Sequence, residues 1–274
     1  MIEARNIAAM GFETPQSVQL MAEVERRAFA DRSKFLGDAD FYSVPVKTLV
    51  SKEYLTERMK NFVPGVAGNS HDVQPGIIVK KESEETTHLS GVDKDGNAVA
   101  VTTTLNNSYG SKTVVGGAGF FLNDEMDDFS AKPGVPNMYG AIGGEANAIV
   151  PGKRMLSSMS PTIVLKNDEP YLVLGTPGGT TISTSVFQTL IDILEFNMTT
   201  EDAINQPKFH HQWLPDTLYI EKGFSADTRS ELEKIGYKIL QHSSIGRTEV
   251  IKVLPNKKIE AVADRRGDDA AEGF

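Results

Sequence analysis

Glu84-Glu85-Thr86-Thr87-His88-Leu89-Ser90 is where a charged run ends and an alternating, strand-like run begins. Two readings of that junction lead to different proteins. In one, Thr86 and Thr87 are β-formers that open a strand. In the other, the chain is cut before Thr86. A threonine hydroxyl is a weak nucleophile unless a base sits beside it, and a free α-amino group on the same residue, with a pKa of about 8, supplies one. That chemistry needs Thr86 to become an N-terminus, and the junction alone leaves both readings open.

Upstream, residues 63–85 (Pro64, Gly65, Gly68, Asn69, Pro75, Gly76, then Lys80-Lys81-Glu82-Ser83-Glu84-Glu85) read as an irregular, solvated linker. A processing site needs such a segment, because a buried peptide bond cannot be released. Before it, Thr14 as N-cap and Pro15 at the first helical position start an amphipathic helix with Val18, Met21, Val24 and Ala28 on one face, running to about Asp31. Gly37-Asp38 and Val44-Pro45-Val46 read as loop, and Ser51 caps a second helix, Lys52 to Asn61.

Downstream, Leu89 to Val92 and Ala98 to Leu105 form a hairpin turned at Asp95-Gly96, with Thr86 beginning the first strand and Thr104 and Asn106 ending its partner. A Gly-rich stretch, Val114 to Phe121, leads to the acidic run Asn123-Asp124-Glu125-Met126-Asp127-Asp128-Phe129, which by charge alone reads as a solvated face. Residues 130–153 are a long Pro/Gly loop carrying Tyr139, the kind of loop that serves as a lid or stays disordered.

Strands Thr162 to Lys166 and Tyr171 to Gly175 follow, then Thr176-Pro177-Gly178-Gly179-Thr180-Thr181 and a helix from Ser183 to Asn197. A Gly-Gly turn between strand and helix frees backbone N–H groups to converge on an anion, and it equally makes a tight turn. It is not a phosphate loop, since the Walker Lys-Ser/Thr pair and the GxGxxG order are absent. Thr199 or Thr200 caps a short helix to Asn205. A strand Leu218 to Glu221, a helix Ala226 to Ile235 and a terminal hairpin, Val250 to Leu254 with Ile259 to Ala263, complete an α+β pattern.

Composition narrows the chemistry. With 274 residues, 39% of them hydrophobic, the chain can bury a sizeable core. Its net charge of −9, without a Lys/Arg cluster, argues against nucleic acid as a partner. No cysteine means no thiol nucleophile, disulfide or thiolate metal site. The five histidines show no metal-ligand spacing; residue counts leave a Ser-His-Asp triad open, but no Gly-x-Ser-x-Gly elbow is present, a threonine nucleophile is the remaining candidate, and nothing in the pattern calls for a cofactor. The start, Met1 to Gly11, lacks the basic region and long apolar run of a signal peptide, and no stretch reaches the roughly 18 apolar residues of a membrane span.

Six motifs in order and spacing carry a family resemblance: Thr86-Thr87-His88-Leu89-Ser90; Thr102-Thr103-Thr104-Leu105-Asn106; Asn123 to Phe129; Pro133-Gly134-Val135-Pro136-Asn137; Leu156-Ser157-Ser158-Met159-Ser160-Pro161; and Gly175-Thr176-Pro177-Gly178-Gly179-Thr180. The chain resembles the gamma-glutamyltranspeptidases over nearly all of 86–274, with Ala30-Asp31-Arg32 and Leu36-Gly37-Asp38 extending the match upstream. The resemblance implies an N-terminal nucleophile hydrolase fold, an α-β-β-α sandwich, here incomplete because family members are about twice this long. Residues 1–85 would be the C-terminal part of the large subunit and 86–274 the whole small subunit, separated by self-cleavage between Glu85 and Thr86.

By the same resemblance Thr86 would be the nucleophile, Thr104 would hydrogen-bond and assist it, and Asn106 would hold the substrate's α-group. Glu125 and Asp128 would bind the glutamyl α-amino group, Ser157 and Ser158 the α-carboxylate, and Gly178 and Gly179 the oxyanion. Tyr139 would lie in the lid. The implied substrates are glutathione or another γ-glutamyl compound, with an acceptor amino acid, a dipeptide or water. The missing large-subunit portion is an implied partner, and a periplasmic or extracellular setting is expected. Alternative outcomes are a truncated or partner-dependent subunit inactive by itself, and a cephalosporin acylase-like or poly-γ-glutamate-cleaving relative.

Overall fold

The computed structural model describes residues 1–76 and 88–273, so Glu85, Thr86 and the expected opening of the first strand at Thr86 lie outside the described residues. The helices are α1 (Pro15–Phe35), α2 (Val46–Leu49), α3 (Lys52–Arg58), α4 (Thr181–Leu194), α5 (Thr200–Asn205) and α6 (Ala226–Lys234). The strands are β1 (His88–Val92), β2 (Ala98–Thr102), β3 (Thr162–Lys166), β4 (Glu169–Gly175), β5 (Phe209–His210), β6 (Leu218–Glu221), β7 (Ile239–His242), β8 (Glu249–Val253) and β9 (Ile259–Val262). They group into two compact units, the first from residues 1–84, 125–157 and 209–243, the second from 85–124, 158–208 and 244–274. Among the described residues, no helix is long and apolar enough to cross a membrane.

The second unit is layered. β1 and β2 pair antiparallel with His88 opposite Thr102, and the Asp93 carboxylate closes their turn by accepting the Asp95 and Asn97 N–H groups at 2.9 Å each. A four-stranded antiparallel sheet runs in the order β3-β4-β8-β9. Alternate residues of β4 face opposite ways. Leu172 and Leu174 join Val186 and Ile193 of α4, Ala203 and Ile204 of α5 and Val250 of β8 in an apolar core. Each fully buried aliphatic side chain there contributes roughly 1.5–3 kcal/mol.

On the other face of β4, Gly175 meets His88: a Cβ at Gly175 would collide with the imidazole ring. Only glycine lets the hairpin approach there. The ring's nitrogens pair with the hydroxyls of Thr102 and Ser90, 2.9 Å each, and burial pushes its pKa down to about 4, so His88 is neutral at pH 7. Helices on one face and the hairpin on the other make three of the four layers that the resemblance implies.

The first unit is built on α1. Its start carries a reciprocal cap, with Ser17 N donating to Thr14 Oγ1 and Thr14 N to Ser17 Oγ, and it runs past Asp31 to Phe35. Its buried side bears charge as well as apolar groups. Arg26 Nε pairs with Glu23 at 3.2 Å, Arg27 Nη1 with Glu23 at 2.5 Å, and the Tyr237 hydroxyl donates to Glu23 at 2.7 Å. Arg26 also reaches Ser70 Oγ at 2.5 Å and the Asp216 carboxylate.

Residues 63–76 are irregular and mostly exposed, as the sequence suggests, with two buried exceptions that these demands explain. Ser70 and Val73 are buried, because a desolvated guanidinium must have acceptors and the Trp213 indole donates to the carbonyls of both at 2.9 Å. β5, β6 and β7 form a mixed three-stranded sheet, with β5 antiparallel and β7 parallel to β6. α2 occupies part of what reads as loop, because Pro45 provides the carbonyl that accepts from Thr48 and Leu49.

The chain's last segment titrates near neutrality. Burial pushes the Glu249 carboxyl up to about 7, aided by the neighbouring Asp269 and Asp264 carboxylates and opposed by Arg247. The folded protein therefore keeps a proton that the unfolded chain has lost, and stability present below the ordinary glutamate range is lost as pH rises through about 7. Glu249→Gln is expected to remove this slope. After discounting for partial exposure to about 1 kcal/mol, the variant's midpoint at pH 8 should exceed the parent's by about 2–4 °C, with no gain at pH 5, as measured by thermal melts.

Candidate active site

In the second unit, β2 delivers the chain to Thr104 and Asn106. Asn106 has φ of +73°, a conformation asparagine tolerates better than most residues, and its N–H donates to Thr104 Oγ1 at 2.7 Å. That bond occupies an acceptor position on the hydroxyl and leaves its proton free to be given to another oxygen. The Asn106 side chain donates to the Asp124 carbonyl at 3.2 Å, while the Asp124 carboxylate takes Asn107 N at 3.0 Å and Asn107 Nδ2 at 2.9 Å. Asp124 thus fixes the loop carrying Asn106, a role that its place in an acidic run conceals.

The same unit holds the Gly-Gly turn. Gly178 and Gly179 have φ of +140° and +58°. The Gly178 carbonyl accepts Thr181 N at 3.1 Å and Thr181 Oγ1 at 2.7 Å, and the Gly179 carbonyl accepts Ile182 N at 3.2 Å. Among the described residues, no acceptor takes the N–H groups of the two glycines. Two adjacent amides without an internal partner, at the mouth of α4, can stabilise an oxyanion. Thr176 holds the turn from behind, its hydroxyl accepting Arg247 N at 2.5 Å. Ser158 is buried in this unit, and Ser160 Oγ donates to its carbonyl at 3.0 Å.

The first unit carries Glu125, Asp128, Ser157 and Tyr139. Glu125 and Asp128 stand at the ends of one 3-10 turn, Glu125–Asp128, with Asp128 buried and Glu125 half-buried. Contrary to a purely solvated acidic face, Asp128 and Phe129 are turned inward. The loop after this turn is closed on itself: Gly134 N donates to the Gly143 carbonyl at 2.9 Å, and Asn137 Oδ1 accepts Tyr139 N at 3.1 Å and Ala141 N at 3.0 Å. It is also tied down, with Met138 N donating to Asp127 at 3.0 Å and Gln212 to the Tyr139 carbonyl at 3.1 Å.

Ser157 is half-buried and follows a clamped stretch. Buried Asp38 accepts Arg154 N at 2.8 Å, Nε at 3.0 Å and Nη2 at 2.5 Å, and the guanidinium holds the Asp38 carboxyl well below the usual carboxylate range. Asn147 Nδ2 donates to the Asp128 carbonyl at 2.6 Å and its Oδ1 accepts Leu156 N at 3.3 Å. Asp38 apart, these supporting residues escape a reading of motifs, since Asn147 acts on backbone groups and Arg154 on a carboxylate far along the chain, and a polar residue type alone reveals neither. Glu85 and Thr86 lie outside the described residues, so neither is placed beside these groups. Among the described residues, no cluster of three His, Asp or Glu side chains could hold a metal ion.

A family model described as gamma-glutamyltranspeptidase matches residues 1–274. The glutathione hydrolase proenzyme of Escherichia coli (strain K12) is 47% identical over 274 residues, covering all of this chain and 47% of that protein. The chain therefore spans about half the length of that curated relative. Among solved structures, a gamma-glutamyltranspeptidase from Pseudomonas nitroreducens complexed with L-DON is 49% identical with a TM-score of 0.67, over 69% of this chain and 100% of that one. A cephalosporin acylase from Bacillus halodurans is 28% identical with a TM-score of 0.80, over 100% of this chain and 49% of that one. The mixed helix and sheet fold is that of N-terminal nucleophile hydrolases of this kind.

Proposed function

The chain belongs to the gamma-glutamyltranspeptidase family, and from that premise we propose that it cleaves itself between Glu85 and Thr86 and then transfers or hydrolyses γ-glutamyl groups through a Thr86 acyl-enzyme. The observation that carries the reading is the Gly178-Gly179 turn, whose two N–H groups no acceptor among the described residues takes. Thr86 Oγ attacks the γ-amide carbonyl of glutathione or a similar compound, and its proton passes to the Thr86 α-amino group. The oxyanion forms on the Gly178 and Gly179 N–H groups. The tetrahedral intermediate collapses, the amine leaves with the proton, and the ester between Thr86 and the glutamyl group goes to water or to an acceptor amino acid or dipeptide. Thr104, its hydroxyl oriented by Asn106 N–H, donates to Thr86.

Glu125 and Asp128 take the donor's α-amino group, and Asn106, Ser157 and Ser158 hold its α-group and carboxylate. Tyr139 rides on the loop that limits water. Residues 86–274 act as the small subunit: the 69% of this chain that the Pseudomonas nitroreducens structure covers is the share they make up. The other half of the relatives' length is the partner, and the setting is periplasmic or extracellular.

A second reading, a cephalosporin acylase-like enzyme, comes from the 28% identical structure that matches the whole chain with a TM-score of 0.80. γ-Glutamyl p-nitroanilide and glutaryl p-nitroanilide, which lacks only the α-amino group, separate the two. We expect the γ-glutamyl compound to be preferred in kcat/KM by about 10²-fold, since two carboxylates left unpaired cost about 1–3 kcal/mol. Equal or reversed preference would favour the acylase reading, and release from neither would leave the partner-dependent subunit.

A further inference from the structure

We propose that Asn147 is a positioning residue that sets the spacing between Asp128 and Ser157, and thereby the match to a donor that carries both an α-amino and an α-carboxylate group. The inference rests on the γ-glutamyl reading above. Asn147 is 3% exposed and closes the 3-10 turn Glu145–Asn147. Its amide uses both ends on backbone: Nδ2 on the Asp128 carbonyl at 2.6 Å, Oδ1 on Leu156 N at 3.3 Å. Its own carbonyl accepts Ser130 N at 2.8 Å. The orientation of the amide follows from its partners, because a carbonyl needs a donor and an N–H an acceptor. One side chain therefore joins the segment bearing the acidic pair to the residue before Ser157.

The frame around Asn147 leaves it little freedom. Buried Lys153 donates to the carbonyls on either side of it, Ala146 at 2.9 Å and Ala148 at 2.7 Å. A Cβ at Gly143 would collide with Ser130 Oγ, so the end of the loop carrying Tyr139 packs closely on Ser130, whose N–H is the donor to the Asn147 carbonyl. An amino acid head holds its ammonium and carboxylate at a fixed separation, and binding both requires their receptors to be held at a matching one. Aspartate has no donor for the Asp128 carbonyl, and leucine has neither donor nor acceptor.

The test compares γ-glutamyl p-nitroanilide with glutaryl p-nitroanilide in the purified protein and its Asn147→Asp variant. KM for the γ-glutamyl compound should rise about tenfold with kcat within about threefold, while KM for the glutaryl compound, which needs only one of the two receptors, should change less than threefold. A merely structural role would weaken both substrates together or lower kcat for both. If Asn147→Asp does not fold, Lys153→Met, which frees the turn and leaves Asn147 in place, carries the same comparison. A parent protein that does not prefer the γ-glutamyl compound would overturn the reading and the inference with it. A preference that survives the substitution unchanged would overturn the inference alone.

Discussion

Thr86→Ala is expected to stay uncut between Glu85 and Thr86 and to release p-nitroaniline from γ-glutamyl p-nitroanilide at least ~10³-fold more slowly than the parent protein. Both losses come from one atom. In the proposed mechanism the Thr86 hydroxyl attacks the carbonyl of Glu85 in self-cleavage and the γ-amide in turnover, so removing it removes both nucleophilic steps. No residual route uses the α-amino group, because an uncut chain never frees it. Thr104→Ala should be milder, about 10–10²-fold in turnover, because Thr104 Oγ1 is held by Asn106 N as a hydrogen-bonding group and forms no covalent bond. Intact mass after long incubation and anilide release measure the two outcomes separately. A Thr86→Ala chain that still splits at this bond would remove Thr86 from the mechanism.

Local grammar made part of the fold legible. Thr14-Pro15 starts α1 because a hydroxyl cap and a fixed φ both act within a few residues, and Asp93 to Asn97 turn the hairpin through bonds to a single carboxylate. What was not legible depends on distant partners. β7 gains its ladder from a parallel neighbour, β6, which no short pattern announces. Ser70 is buried because Arg26 and Trp213 converge on it from far along the chain. In the candidate site, Thr104 and Asn106 are expected from the family resemblance, and the Gly-Gly pair also from its place between a strand and a helix. Asp124 and Asn147 are not, since their task is to bind backbone groups of loops whose course the sequence does not state, and Arg154 is not, since its guanidinium pairs with the Asp38 and Asp40 carboxylates from far along the chain.

Gly178→Ala is expected to lower kcat by about 10²–10³-fold with KM changed less than threefold, the signature of an interaction made chiefly in the transition state. The geometry explains why a single methyl group has so large an effect. At Gly178 φ is +140°, a region L residues rarely adopt, and a Cβ there would stand 2.6 Å from Thr181 Oγ1 and 3.2 Å from Gly246 Cα. Thr181 cannot simply swing away. Its hydroxyl donates to the Gly178 carbonyl at 2.7 Å and accepts Gly246 N at 3.1 Å, so relief of the clash breaks the bonds that shape the turn. The peptide must rotate, and rotation re-aims the N–H groups that would meet the oxyanion. Losing one such donor costs about 3 kcal/mol of barrier, whereas backbone strain of about 1–2 kcal/mol lowers the melting midpoint by only a few degrees. Kinetics and a thermal melt on the same preparation separate the two contributions. A kcat within threefold of the parent, with the strain visible in the melt, would show that the turn shapes the fold without holding the oxyanion.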